Sequence, residues 1–320
     1  MSSLAKDILQ QDNGKHQYQT FRVVITHQMG LESMRNLISI FLFVLLPMFA
    51  TLAHESADLV TEAEAGDLHA QVELADMYYN ATGLKHDFQQ ALHWYSKAAA
   101  QGHVQSQYQL AEMYRVGEGT IQDYQQALSW YTRAAEQEYT KAQYSLGLMY
   151  ANGIGVTRDD GQAVHWYGKA AEQGYADAQF NLAVMYRQGT GVTRDDRQAV
   201  HWYTKAAGQG YADAQFNLAV MYYSGAGIAQ DSRQAAYWFA KAAEQGHAKS
   251  QYNLGLLYDS GVGVTQDRVQ AWKWLQIAAA GGYEDAAKSK DILEQAMTIE
   301  QITEARRFSS EWMNNRKQIP

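Results

Sequence analysis

Three histidines, His93, His165 and His201, stand at one column of an internal repeat and are the first residues whose type and spacing could do chemistry. Imidazoles on one face can share a metal ion, but Lys169 and Lys205 follow one helical turn later, and no carboxylate or third ligand joins that face. The column reads as solvated. The doublets Asp159-Asp160 and Asp195-Asp196 offer carboxylates for general acid or base work. Adjacent side chains point apart, however, and the first of each doublet stands where a helix needs a cap. The Gly-x-Gly of five of the six loops precedes no βαβ unit and lacks the third glycine of a dinucleotide fingerprint. There is no Gly-x-Ser-x-Gly and no His-Glu-x-x-His, and the one Ser-x-x-Lys runs from Ser3 to Lys6, far from the repeats. The expectation is a protein that is not an enzyme and has no cofactor, no metal site and no catalytic residue.

Composition narrows the partner. A net charge of −8 lacks the basic surface that neutralises a phosphate backbone, so nucleic acid is not an expected ligand. With no cysteine, disulfides, thiolate metal sites and cysteine nucleophiles are all excluded. Two prolines against 22 tyrosines and 8 tryptophans suggest a helical chain with aromatics at set positions.

Those positions recur every 36 residues, in six copies. Tyrosine stands at Tyr78, Tyr114, Tyr150, Tyr186, Tyr222 and Tyr258. Nine residues later comes aspartate (Asp87, Asp123, Asp159, Asp195, Asp231, Asp267), and then tryptophan (Trp94, Trp130, Trp166, Trp202, Trp238, Trp274) trailed by an Ala-Ala pair. Each copy reads as two helices. In the first, Ala178, Leu182 and Tyr186 form one apolar stripe of helical period. A glycine loop such as GTGVTR follows. The second helix starts at the aspartate with glutamine three residues on, a capping-box spacing, and carries Ala199, Trp202, Tyr203, Ala206 and Ala207 inward. Glycine ends it at Gly102, Gly174, Gly210, Gly246 and Gly282; repeat two has Glu138 there, and a looser exit is expected. One helix pair cannot cover its own stripe, so neighbours must stack. The expected fold is all-α, a right-handed α-solenoid of six 36-residue helix-turn-helix repeats over 67–282, with an N-terminal cap at 54–66 and capping helices over 283–320. The final helix is expected to start at Thr298-Ile299-Glu300-Gln301 and turn Ile302, Ala305, Phe308 and Trp312 inward.

The unit AQFNLAVMYRQGTGVTRDDRQAVHWYTKAAGQG resembles the Sel1-like repeat, a relative of the tetratricopeptide repeat, and the resemblance covers residues 67 to about 282. It implies an interaction scaffold with a protein or peptide partner, and exported bacterial members are common in that family. Some resembling proteins are cysteine-rich, with one disulfide per repeat, and a few are described as penicillin-binding; the absence of cysteine sets this chain apart from them. A cell-wall hydrolase or β-lactam-binding activity therefore has only family analogy behind it, and no nucleophile.

By resemblance to tetratricopeptide arrays, the first-helix face opposite the apolar stripe lines the concave groove. Its ring column is Tyr108, Tyr144, Phe180, Phe216 and Tyr252, led by Val72; the next column contains Asp76, Glu112, Leu148, Val184, Val220 and Leu256, with Asn181, Asn217 and Asn253 alongside. Rings could supply rigid contact area and the amides could bond a peptide backbone. The other use of the same rings is to pack between neighbouring first helices and complete the wall. Acid at one end (Asp76, Glu112) and apolar side chains in the middle suggest a partner with a basic and a hydrophobic segment.

At the N-terminus, Met34-Arg35-Asn36 precedes the apolar run 37–53, broken by Pro47 and closed by Thr51 and Ala53. That is the layout of a signal peptide over 34–53 with cleavage after Ala53, placing the protein in the periplasm or outside the cell. A signal anchor, and with it membrane attachment, is the other reading. The polar extension 1–33 would precede the export signal, which suggests translation from Met34.

Overall fold

The computed structural model describes residues 58–317. The extension 1–33, the export segment 34–53, Ser3 and Lys6 lie outside the described residues. Fifteen helices and no strand are present among the described residues. They are α1 (58–64), α2 (Leu68–Asn80), α3 (Phe88–Ala100), α4 (Val104–Val116), α5 (Tyr124–Glu136), α6 (Thr140–Asn152), α7 (Asp160–Glu172) and α8 (Ala176–Gln188). There follow α9 (Asp196–Gly208), α10 (Ala212–Ser224), α11 (Ser232–Glu244), α12 (Ala248–Ser260), α13 (Arg268–Ala280), α14 (Glu284–Glu294) and α15 (Ile299–Lys317). Consecutive helices pair as repeats, and the chain divides into two units, Met1–Ala142 and Gln143–Pro320.

The caps explain why the second helices begin where they do. All six aspartates are N-caps whose side chains accept from first-turn amides, each worth about 1 kcal/mol. The reciprocal half of the expected capping box is replaced by something stronger architecturally. The aspartate's own N–H donates to the carbonyl of the tyrosine nine residues earlier, as from Asp195 to Tyr186 at 2.9 Å, and this holds in all six repeats. The cap thus ties the second helix to the end of the first. A two-way box forms only once among the hydrogen bonds described, where Thr298 N–H donates to Gln301 Oε1 (3.0 Å) and Gln301 N–H to Thr298 Oγ1 (3.3 Å), starting α15.

In the first unit, Val60 and Ala63 of α1 cover one end of a core made of Leu74, Trp94, Tyr95, Leu110 and Met113. In the second unit Tyr167, Leu182, Met185, Trp202, Tyr203, Leu218 and Met221 form one cluster, and Phe239, Leu254, Leu257 and Trp274 the next. The expected stripe needs one change. Ala178 and Leu182 are buried, but Met185 takes the third core position, and Tyr186 is half-buried at its margin. In α15 Ala305 and Ser309 are buried and Trp312 meets Trp274 edge-on at 5.8 Å, so Ser309 rather than Phe308 faces inward. Lys290, in place of a core leucine, sends its Nζ to Gln276 Oε1 (3.2 Å) and lies over the Trp272 ring.

The Gly-x-Gly loops have a packing reason beyond turn geometry. The second glycine of a loop lies against the first turn of the preceding repeat's second helix. A Cβ at Gly191 would stand 2.2 Å from the Asp160 carbonyl oxygen, and one at Gly119 2.3 Å from that of Phe88. The expected looser exit at Glu138 is not found. Glu138 adopts the left-handed conformation (φ 64°), and the 138 and 139 amides reach Ala135 and Ala134 at 3.0 and 3.1 Å, as the 174 and 175 amides reach Ala171 and Ala170. The helix-ending hydrogen bonds hold the turn, and the side chain bears the strain.

A column of buried glutamines, Gln71, Gln107, Gln143, Gln179, Gln215 and Gln251, completes the frame. Gln179 Nε2 donates to the Ala171 carbonyl (3.0 Å) at the end of α7, and its Oε1 accepts from Gln209 Nε2 at the end of α9, the second helix of its own repeat (2.8 Å). The same donation runs from Gln71, Gln107, Gln215 and Gln251 to alanine carbonyls eight residues earlier. Each of these carbonyls also accepts the backbone N–H three residues on, so the glutamine amide is a second donor that ties the helix end to the next first helix.

Candidate partner-binding face

The rings of the expected column lie on the first helices, half-buried. The first four pack against a ring of the second helix and one at the start of the next first helix; Tyr252, whose second helix has Leu275 at that position, meets only the latter. Tyr108 meets Tyr131 (5.7 Å between centroids) and Tyr139 (5.3 Å); Tyr144 meets Tyr167 (5.8 Å) and Tyr175 (4.9 Å). Phe180 meets Tyr203 (5.9 Å) and Tyr211 (5.0 Å), Phe216 meets Phe239 (5.8 Å) and His247 (4.8 Å), and Tyr252 meets Tyr283 (5.1 Å). The rings complete the wall and, half-buried, leave part of their area exposed. The partner column Tyr139, Tyr175, Tyr211, His247 and Tyr283 was missed by the sequence reading. Its signal is a ring directly after the position that ends each second helix.

Two hollows in the second unit gather part of the expected set. One, of about 500 Å³, is lined by Phe180, Asp213, Phe216, Asn217, His247, Ala248, Lys249 and Tyr283. The other, of about 430 Å³, is lined by Val184, Arg187, Gln188, Arg194, Tyr203 and Asn217. Asn217 belongs to both. Val220 and Tyr252 instead pack against core clusters, and Tyr108, Glu112, Tyr144, Asn181 and Asn253 line neither hollow.

The amides are more committed than their sequence positions suggest. Asn217 Nδ2 donates to the Asp213 carbonyl (3.0 Å) and its Oδ1 accepts from Arg187 Nη1 (3.0 Å), while Asn253 Nδ2 donates to the Lys249 carbonyl (2.7 Å). The acidic end of the face is committed as well. Glu112 accepts from the Tyr131 hydroxyl and from Arg115 (2.6 and 3.0 Å), and Asp76 accepts from the Tyr95 hydroxyl (2.5 Å). Burial first, and then the Glu112 charge, push the Tyr131 hydroxyl well above the usual phenol range. Burial, with the Asp177 carboxylate beside it, pushes Tyr211 up to about 12.

The candidates for chemistry have structural uses. His93, His165 and His201 are exposed, each edge-on to the neighbouring tryptophan. Asp159 and Asp195 cap helices, while Asp160 and Asp196 hold Arg158 and Arg194 at 2.9 and 2.8 Å. One array not foreseen has a relay-like order: Ser250 Oγ is 2.9 Å from His247 Nδ1, and His247 Nε2 is 3.2 Å from Asp213 Oδ1. Ser250 is fully buried, and its N–H donates to the same Nδ1 at 3.1 Å, so the imidazole is a helix cap. His103 and Ser106 form the same cap at the start of α4.

Among solved structures the chain is similar to a protective antigen present in uropathogenic Escherichia coli strains, described as displaying an SLR fold. Identity is 32% and the TM-score 0.53, over 81% of this chain and 63% of that one, so the match spans less than two thirds of the antigen's length. It is also similar to a Sel1 repeat protein from Oxalobacter formigenes, at 32% identity and a TM-score of 0.55, covering 67% of this chain and 85% of that one. No curated protein matches. The Sel1 repeat model matches six consecutive segments, 68–103, 104–139, 140–175, 176–211, 212–247 and 248–283. Such repeats form a helical solenoid of a type used for protein interaction, generally without catalysis. With its six helix pairs in that register, the chain belongs to the Sel1 repeat family.

Proposed function

We propose that this protein is an exported, non-enzymatic scaffold that binds a protein or peptide partner on the first-helix face of its second unit. The observation that carries the reading is the pair of adjoining hollows sharing Asn217. They bring Phe180 and Phe216, rigid aromatic area, beside the hydrogen-bonding groups of Arg187 and Asn217. On this face His247 caps a helix and pairs with Asp213, which supports binding over turnover.

The test is affinity capture from the native cell envelope by the fragment beginning at His54, with mass-spectrometric identification. Phe180→Ala combined with Phe216→Ala abolishes capture while helical circular dichroism and melting stay near wild type. Lost folding in place of lost capture would leave the rings as wall only. Export is supported by Met34-Arg35-Asn36 ahead of the apolar run 37–53. Among the described residues no helix is long and apolar enough to cross a membrane. A mature N-terminal peptide beginning at His54 is expected; one reaching upstream would make the segment a membrane anchor.

A further inference from the structure

Arg115 and Arg187 occupy the same position of their repeats, on α4 and α8, but only Arg115 has a carboxylate one turn earlier on its own helix. Arg115 is held by the Glu112 carboxylate one turn earlier, at 2.6 and 3.0 Å. In α8 the position of Glu112 is taken by Val184. Arg187 is half-buried, donates to the neutral Asn217 Oδ1 at 3.0 Å and to the neutral Tyr203 hydroxyl, and forms no ion pair among the described residues. Asp196 is the acid whose ionisation responds to Arg187, but it is already paired with Arg194 at 2.8 Å. The guanidinium thus lines an open hollow with donor capacity its own fold does not use.

We propose that the partner supplies the missing carboxylate: a segment with an aspartate or glutamate side chain that seats on Arg187 and an apolar side chain that enters the ring hollow at Phe180 and Phe216. This deepens the proposed function and rests on it. The spacing follows from the helix. Phe180 and Arg187 are seven residues apart on α8, about 10 Å along its axis. An extended chain covers that in about three residues, so the acidic residue falls about three positions from the apolar one. A carboxylate meeting a guanidinium is a charge-assisted, bidentate contact, which sets the expected size of the effect.

The experiment is selection of a displayed random dodecapeptide library on the full folded chain, on Arg187→Gln, and on the Phe180→Ala, Phe216→Ala double variant. Wild type enriches peptides with Asp or Glu about three residues from Phe, Trp or Leu. Replacing that acid by its amide weakens binding about tenfold or more. On Arg187→Gln the acidic preference disappears and the apolar one stays, with melting unchanged. Enriched peptides that depend on the two rings but show no acidic preference, or keep it in Arg187→Gln, overturn the inference and leave the proposed function standing. No enrichment by the wild type overturns both.

Discussion

Repeat two and repeat four are built to one plan and finished differently. Both second helices are capped by aspartate, Asp123 and Asp195, and both caps return an N–H to the preceding tyrosine carbonyl. In both, a buried glutamine closes an alanine carbonyl. On the first-helix face they part. Repeat two joins Glu112, Arg115 and Tyr131 into a closed network, whereas repeat four sets Val184, Arg187 and Tyr203 around a hollow. The inner columns are constrained by stacking and the outer ones are free to vary, so the difference marks where function can be placed without cost to the fold.

The largest expected effects test the shared plan. Gly119→Ala and Gly191→Ala each push a methyl group into a backbone carbonyl from a left-handed conformation. Each should cost roughly 3 kcal/mol in thermal or urea unfolding. Unequal losses would show that the loops are not equivalent. Gln107→Ala and Gln179→Ala should each lose about 2 kcal/mol, since each removes a buried donor to an alanine carbonyl and a buried acceptor for a second glutamine amide. Next comes the difference between the faces: Glu112→Gln should destabilise by about 1 kcal/mol, while Arg187→Gln stays within about 0.5 kcal/mol. Equal costs would make Arg187 a structural residue. Glu138→Gly should stabilise by about 1 kcal/mol, since glycine accepts φ 64° without strain.

The smallest effect is a pH dependence. Burial lowers His103 and His247 below the ordinary 6.5, against the opposing pull of Asp76 and Asp213. Each Nδ1 must be unprotonated to accept its serine N–H. The unfolded chain therefore binds more protons, so stability is full above about pH 6.5 and falls as pH drops below it. The melting temperature between pH 7.5 and 5.5 checks the sign, and His103→Asn with His247→Asn should flatten the curve.

The sequence made the helix pairs, their aspartate caps and the alanine-lined cores legible because each is periodic, and six copies reinforce one another. Phe180, Phe216, Asn217 and Val184 were also reachable, as the face opposite Ala178 and Leu182. The glutamine column was invisible in function although plain in register. A glutamine reads as surface until the end of the previous helix, with its alanine carbonyl, is seen beside it. Arg187 was missed for a different reason. Its significance lies in the absence of a carboxylate that Arg115 possesses, which only the two surroundings together reveal. The acidic end of the face, Asp76 and Glu112, is committed to the Tyr95 and Tyr131 hydroxyls, pairings across 19 residues that periodicity alone does not reveal.

The most direct measurement is calorimetric titration of a selected acidic dodecapeptide into wild type and Val184→Glu. The substitution copies repeat two onto repeat four by giving Arg187 a carboxylate of its own. The account predicts that Val184→Glu melts at or slightly above the wild-type temperature and binds the peptide at least about tenfold more weakly. Undiminished binding by a folded Val184→Glu protein would contradict it.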